Sequence, residues 1–319
     1  MWSWLSPEPN GALAALAALQ PDATEAEKTP TPTPTPTPAE LPLAVRWVLL
    51  VMELALVSGG AFLLLLSSSV IGALVRGLLG AGVVVQLCEA AAFGWGLVTF
   101  LSWFFHVPKR DFVRRLAAFG RREGRTCMVS VLLHSVATVA LTTWSEDQRV
   151  WSWENARAAV HRSDGSLATA EMMKNLLLAP MTEELFFRGM LVLVTVNRLG
   201  SVEWGASVSS VLFAAIHLAN ARHLGTQYSA SYLVFQVLWA LLVGLFLALK
   251  LVVSGSLVEC FALHTINNVF ALGVARNAAM NLTQPGVCVS ILASFSAYAL
   301  VIAKQLQALR HKASRDKTL

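Results

Sequence analysis

The sequence predicts an all-α protein, a polytopic membrane helix bundle of about eight transmembrane helices with a polar site between the fourth, fifth and seventh. Three observations predict it. Of the 319 residues, 55% are apolar and only 13% charged, and the mean hydropathy of +0.60 places the chain in the membrane class. Apolar runs recur at the length a helix needs to cross about 30 Å of hydrocarbon. The ionisable residues inside those runs are grouped at helical spacing, not scattered. The net charge of +5 does not point to nucleic acid, because the basic residues bunch beside apolar runs and lack interleaved aromatics.

Residues 1–40 include five successive Thr-Pro pairs over 29–38, a composition that cannot bury a core and favours an extended, polyproline-like chain. They are expected to form a disordered Thr/Pro-rich tail. Trp2, Trp4 and an Ala/Leu run precede it without a basic n-region or Arg-rich transit pattern, so no cleavable signal is expected and the first membrane helix serves for insertion. A membrane domain over 41–306 follows, with its motif core at 172–275, and then a basic tail over 307–319.

Within the membrane domain the apolar segments fall at about 43–68, 80–105, 126–144, 172–196, 203–221, 230–252, 255–275 and 286–306. The first has no sharp end, since 67–82 is itself apolar, and the sixth and seventh are parted only by a turn at Ser254–Ser256. The loop over 109–125 holds seven basic residues against two acids, and Arg310, Lys312, Arg315 and Lys317 follow the last span. With eight spans both lie on one side, which the positive-inside rule makes cytosolic, along with both termini. In that loop Phe112, Val113, Leu116, Ala117 and Phe119 can share a face opposite Arg114, Arg115, Arg121 and Arg122. This fits a helix lying in the interface and equally an ordinary positive-inside loop. Trp144, Trp151 and Trp153 suggest an indole-anchored cap on the opposite side. Cys88, Cys127, Cys260 and Cys288 stand singly and read as packing residues.

The fourth segment contains Leu-Leu-Leu-Ala-Pro-Met-Thr-Glu-Glu-Leu-Phe-Phe-Arg at 176–188. An ionisable side chain at the centre of a membrane helix costs about 2.5–3.5 kcal/mol, so Glu183, Glu184 and Arg188 together need a reason. Glu184 and Arg188 are i and i+4 and can pair; Glu183 lies about 100° away and is left free. Pro180 cannot donate to the helix ladder and crowds the carbonyl of Leu176, which predicts a kink or partly unwound turn just before the acids.

The fifth segment carries Phe213-Ala-Ala-Ile-His217 and the seventh His264-Thr-Ile-Asn-Asn268. Each repeats the i,i+4 spacing, so Phe213 can pack against His217, and His264 and Asn268 project from one face. A carboxylate with a histidine can hold and deprotonate a water, while a second histidine with an amide can donate to an oxyanion, the minimum for hydrolysing an amide bond. Zinc is the alternative chemistry, with Glu183, Glu184, His217 and His264 as ligands, although no His-Glu-x-x-His is present. His134 beside Ser135, Glu53, Glu89 with Cys88, and Glu259 read as interhelical hydrogen bonds or snorkelling side chains.

In this order, Glu183-Glu184-x-x-x-Arg188, Phe213-x-x-x-His217 and His264-x-x-x-Asn268 resemble the three motifs of the CAAX-protease and bacteriocin-processing (CPBP) family of intramembrane proteases. Ala179-Pro180-Met181-Thr182-Glu183-Glu184-Leu185-Phe186-Phe187-Arg188 is most similar to the first motif of the type II CAAX prenyl endopeptidases. The resemblance implies that Glu183 and His217 activate water, that His264 and Asn268 stabilise the oxyanion, and that Glu184, Arg188 and Phe213 support them. It implies removal of the C-terminal tripeptide from prenylated CAAX proteins in the endoplasmic reticulum membrane, with lipid as a partner. No cofactor is expected, zinc on Glu183, His217 and His264 being the variant. The chain departs from the prenyl endopeptidases after the second motif, where it reads His217-Leu-Ala-Asn220 without a further histidine. The alternatives are a protease of unprenylated substrates and a non-proteolytic scaffold or transporter-like protein of the same fold.

Overall fold

Glycine and serine at the ends of the apolar runs set the helix boundaries. The computed structural model describes residues 41–80, 82–117, 119–144, 151–275 and 284–315; the expected Thr/Pro-rich tail and the last residues of the basic tail lie outside them. Helix α1 spans Leu43–Leu79, α2 Val83–Phe104, α3 Lys109–Leu116, α4 Arg121–Trp144 and α5 Trp153–Val160. A continuous helical stretch over 169–199 follows, made of α6 (Thr169–Met173), a π turn (Lys174–Leu178), α7 (Ala179–Phe186), a second π segment (Phe187–Val192) and α8 (Leu193–Leu199). Then come α9 (Val202–Ile216), tightening into a 3-10 turn at His217–His223, α10 (Ala230–Ser254), α11 (Leu257–Ala271) and α12 (Pro285–Arg315). Gly200 ends α8 with φ +66°, and the Ser201 hydroxyl accepts from the Trp204 amide to start α9. Gly255, with φ +68°, and Ser256, which accepts from the Glu259 amide, do the same between α10 and α11. A left-handed glycine after one helix and a hydroxyl cap before the next make a hairpin of helices from very few residues.

The described residues are helical, with isolated bridges and no strand among them, so the all-α polytopic architecture is present. Among the described residues, five helices are long and apolar enough to cross a membrane: α1, α2, Val202–His223, α10 and Pro285–Leu309 of α12. The other three expected passages are helical in the predicted places. The stretch 169–199 carries Lys174, Glu183, Glu184 and Arg188; α4 opens with Arg121, Arg122, Glu123 and Arg125; α11 has only 15 residues, about 22 Å of helix. Helix α1 continues well past the expected end of the first span, and α12 runs into the expected basic tail.

Residues 187–196 are buried all round, which makes this segment the axis of the bundle. Helix α9 packs on α10, α1 on α2 and α8, α11 on α4 and α7, and α12 on α10 and α4. The outward faces of α1, α2, α4 and α12 are apolar, with Leu74, Trp95, Leu132 and Leu300 all more than half exposed.

Of the polar residues set aside as interhelical contacts, Glu53 and Glu259 form ion pairs between helices. Arg198 of α8 forms a forked ion pair with Glu53 of α1, one arm at 2.9 Å from Nε to Oε2, and Arg46 donates to the carbonyl of Leu199. Lys250 of α10 pairs with Glu259 of α11 at 2.9 Å and donates to Thr126 of α4. Glu89 occupies the space that a Cβ at Gly72 would need. The four cysteines are free, Cys260 being buried.

Two sequence features resolve in a particular direction. Helix α3 forms and buries Phe112 and Leu116, one turn apart, while Val113 and Phe119 stay exposed; Lys109 sits over the ring of Trp95. Its apolar side is thus used partly on the protein. Trp151 is buried, and its indole N–H donates to the carbonyl of Phe270 at 2.7 Å, stapling the 151–153 segment to the end of α11, whereas Trp153 is exposed. The Trp144 side chain lies outside the described residues.

Removing one partner of the Glu53–Arg198 pair leaves a buried charge uncompensated, at a typical cost of about 3–5 kcal/mol. Glu53→Leu is expected to lower the unfolding temperature and abundance of the purified protein, and the double change Glu53→Leu with Arg198→Leu to recover most of the loss. A double variant as unstable as the sum of the singles would remove the coupling.

Candidate active site

The site begins where Pro180 interrupts the helix ladder. In the turn before it the Ala179 amide bonds to the carbonyl of Lys174, a π-type i→i−5 bond, and the widened turn admits the proline ring. The partly unwound backbone expected at Pro180 is therefore a π turn, the usual accommodation of an extra residue in a helix near a site.

Beyond it, Glu184 and Arg188 lie on one face as their spacing requires, Oε1 to Nη1 at 3.0 Å, both fully buried. Arg188 reaches on toward the carbonyl of Gly244 on α10 at 3.4 Å, with its guanidinium carbon 4.4 Å from the centre of the Phe213 ring. Glu184 has a further partner that spacing could not reveal. Its Oε1 lies 2.7 Å from Nδ1 of His264 on α11. Because a carboxylate accepts, Nδ1 carries the hydrogen and Nε2 points the other way. There it meets Glu183, whose Oε2 is 3.6 Å distant and whose side chain is 31% exposed. Two consecutive carboxylates therefore flank one imidazole, Glu184 hydrogen-bonded to Nδ1 and Glu183 3.6 Å from Nε2.

His217 stands where α9 tightens into its 3-10 turn. Its Nδ1 lies 2.9 Å from the carbonyl of Phe213, an acceptor only, so Nδ1–H donates and the neutral ring keeps a lone pair on Nε2. The Phe213 ring packs edge-on between the imidazoles, with centroids 5.1 Å from His217 and 5.7 Å from His264. The expected Phe213–His217 pairing is there, and the same ring also touches the second histidine and Arg188. Asn268, one turn beyond His264, donates from Nδ2 to the carbonyl of Asn175 in the π turn at 3.3 Å.

His217, His264, Asn268 and Phe213 line a cavity of about 200 Å³, closed elsewhere by Phe235, Trp239 and Phe270. His134 also lines it, stacked on Phe270 and hydrogen-bonded to the Ser130 carbonyl at 2.8 Å. Polar groups with free capacity thus lie against an aromatic wall, the usual anatomy of a site for a partly apolar ligand. Glu183 connects to the site through His264; no ion pair joins it to His217 among the described residues. Nor do any three His, Cys, Asp or Glu side chains converge as metal ligands among those residues.

All seven residues singled out by spacing belong to this neighbourhood. The Glu184–His264 contact, which spans 80 residues of sequence, and the bond from the Trp239 indole to Asn267 Oδ1 at 2.9 Å were not legible, because no local period connects them.

No curated protein and no solved structure matches the chain. Residues 165–270, about a third of the chain, match the family model described as type II CAAX prenyl endopeptidase Rce1-like. The match contains Glu183, Glu184, Arg188, Phe213, His217, His264 and Asn268 and begins ahead of the π turn that sets them up. The helices that build this site thus form an Rce1-like domain over residues 165–270.

Proposed function

We propose that this protein is an intramembrane endopeptidase that removes the C-terminal tripeptide from prenylated CAAX proteins, using water activated by side chains and no metal. The observation that carries the reading is the imidazole of His264, hydrogen-bonded to Glu184 and facing Glu183, beside a cavity lined by both His264 and His217. Glu183 and Nε2 of His217 are the groups able to take the proton of a water placed between them. The water oxygen attacks the scissile carbonyl carbon, and its proton passes to one of these bases. The developing oxyanion receives hydrogen bonds from His264, when it carries a hydrogen on Nε2, and from the second hydrogen of the Asn268 amide. Collapse of the tetrahedral intermediate breaks the carbon–nitrogen bond, and the proton held by the base goes to the leaving amine.

The substrate class follows from partitioning. A prenyl chain holds a peptide at the bilayer surface, and an aromatic cavity bordered by polar catalytic groups suits a substrate that is lipid at one end and peptide at the other. The endoplasmic reticulum membrane, with both termini cytosolic, is the setting in this reading, and prenylated proteins are the partners. The test is release of the tripeptide from a farnesylated CAAX peptide by the purified protein in lipid, with the unfarnesylated peptide alongside. Equal cleavage of both would transfer the assignment to a protease of unprenylated substrates, and cleavage of neither by folded protein would favour a non-proteolytic role.

The adjacent acids should fail differently. Glu183→Gln keeps size and removes a base, so turnover is expected to fall to background with normal abundance and unfolding temperature. Glu184→Gln weakens the hold on both Arg188 and His264, so abundance should fall together with activity. A fully active Glu183→Gln protein would exclude the carboxylate as base.

Chelation separates the two chemistries. Prolonged treatment with a strong chelator is expected to leave the rate unchanged; loss of activity restored by zinc alone would place a metal at the water.

A further inference from the structure

Three side-chain amide and indole groups form a hydrogen-bonded line behind the oxyanion position, and its direction is dictated at both ends. At one end the Trp239 indole, which can only donate, bonds to Asn267 Oδ1 at 2.9 Å. At the other the carbonyl of Asn175, which can only accept, takes a hydrogen from Asn268 Nδ2 at 3.3 Å. Between them Asn267 Nδ2 faces Asn268 Oδ1 at 3.5 Å. An amide can be turned end for end without changing its shape, so its orientation is set only by its partners. Here a donor at the head turns Asn267 oxygen-first. That leaves the NH2 of Asn267 for Asn268, turns Asn268 oxygen-first in the same sense, and sends the Asn268 NH2 toward the π turn.

The acceptor at the far end exists because of Pro180. The Ala179 amide is bonded to Lys174, and the next π-type donor, for the Asn175 carbonyl, would come from residue 180. Proline has no N–H to give. Asn268 fills that place with one of its two amide hydrogens and keeps the other.

We infer that Trp239 and Asn267 are positioning residues that hold Asn268 with its NH2 toward the substrate carbonyl, in a line anchored on the carbonyl left without a donor by Pro180. This inference rests on the proteolytic reading for its consequence, not for its geometry. Trp239 is suited to the task because its ring is fixed independently, stacked on Phe235 at 5.8 Å and edge-on to Tyr298 at 5.1 Å. Loss of its N–H removes the directing group while Phe can retain the packing.

Two variants test the line, Trp239→Phe at its head and Asn267→Leu, close to isosteric and without donor or acceptor, at its middle. Each should lower kcat on the farnesylated peptide about ten-fold, the ordinary size of an outer-shell effect, and neither should lower it further when Asn268 is already Ala. Additive losses in the double variants, or wild-type kcat in both singles, would overturn the inference. A second readout does not depend on cleavage. In protein labelled with 15N-asparagine, the Asn268 side-chain amide signal, assigned by its loss in Asn268→Ala, should shift in both variants. An unmoved signal sinks the inference even if the peptide is cleaved, whereas a shifted signal in a protein that cleaves nothing leaves the line standing and removes the proteolytic reading.

Discussion

The carboxylate of Glu184 is the group on which the site depends. It is fully buried and shared by two cationic or potentially cationic partners, Arg188 one turn along its own helical stretch and His264 from α11. A buried carboxylate is costly unless it is paired and hydrogen-bonded. The arrangement that relieves that cost also sets the direction of His264, whose other nitrogen then faces Glu183. One interaction thus stabilises the helix packing and orients the His264 ring, which is the usual economy of an oriented imidazole.

Around this centre, departures from regular helix occur where the site needs them. A π turn precedes Pro180, a second π segment carries Arg188, and a 3-10 turn begins at His217. Irregular backbone at membrane depth survives only inside protein or beside a polar cavity; the second π segment and the 3-10 turn meet that condition, since Phe187–Val192 is buried and His217 lines the cavity. The carbonyl of Asn175, in the exposed π turn, takes a side-chain partner from another helix, Asn268.

Other charged pairs do a different job. Glu53–Arg198 and Lys250–Glu259 close on themselves away from the cavity and fix how α1, α8, α10 and α11 meet. The distinction between a structural and a functional ion pair here is whether any member keeps a free polar atom toward the cavity or solvent. Glu183, 31% exposed and facing His264, does so; Glu53 and Arg198, nearly fully buried, do not.

By itself the sequence determined the helical membrane class, the placing of the helices, the Glu184–Arg188 pair, the Phe213–His217 pair and the disturbed backbone at Pro180. Each of these depends on hydropathy over a window or on a spacing of three to five residues, and both are local properties of the chain. Only the tertiary structure decided that His264 belongs to Glu184, that Trp151 turns inward to α11, and that Trp239 and Asn267 back Asn268. Helical periodicity says which residues share a face but not which face of another helix will meet it. That choice comes from packing among helices far apart in sequence, and from the requirement that each buried donor and acceptor end opposite a partner of the complementary kind.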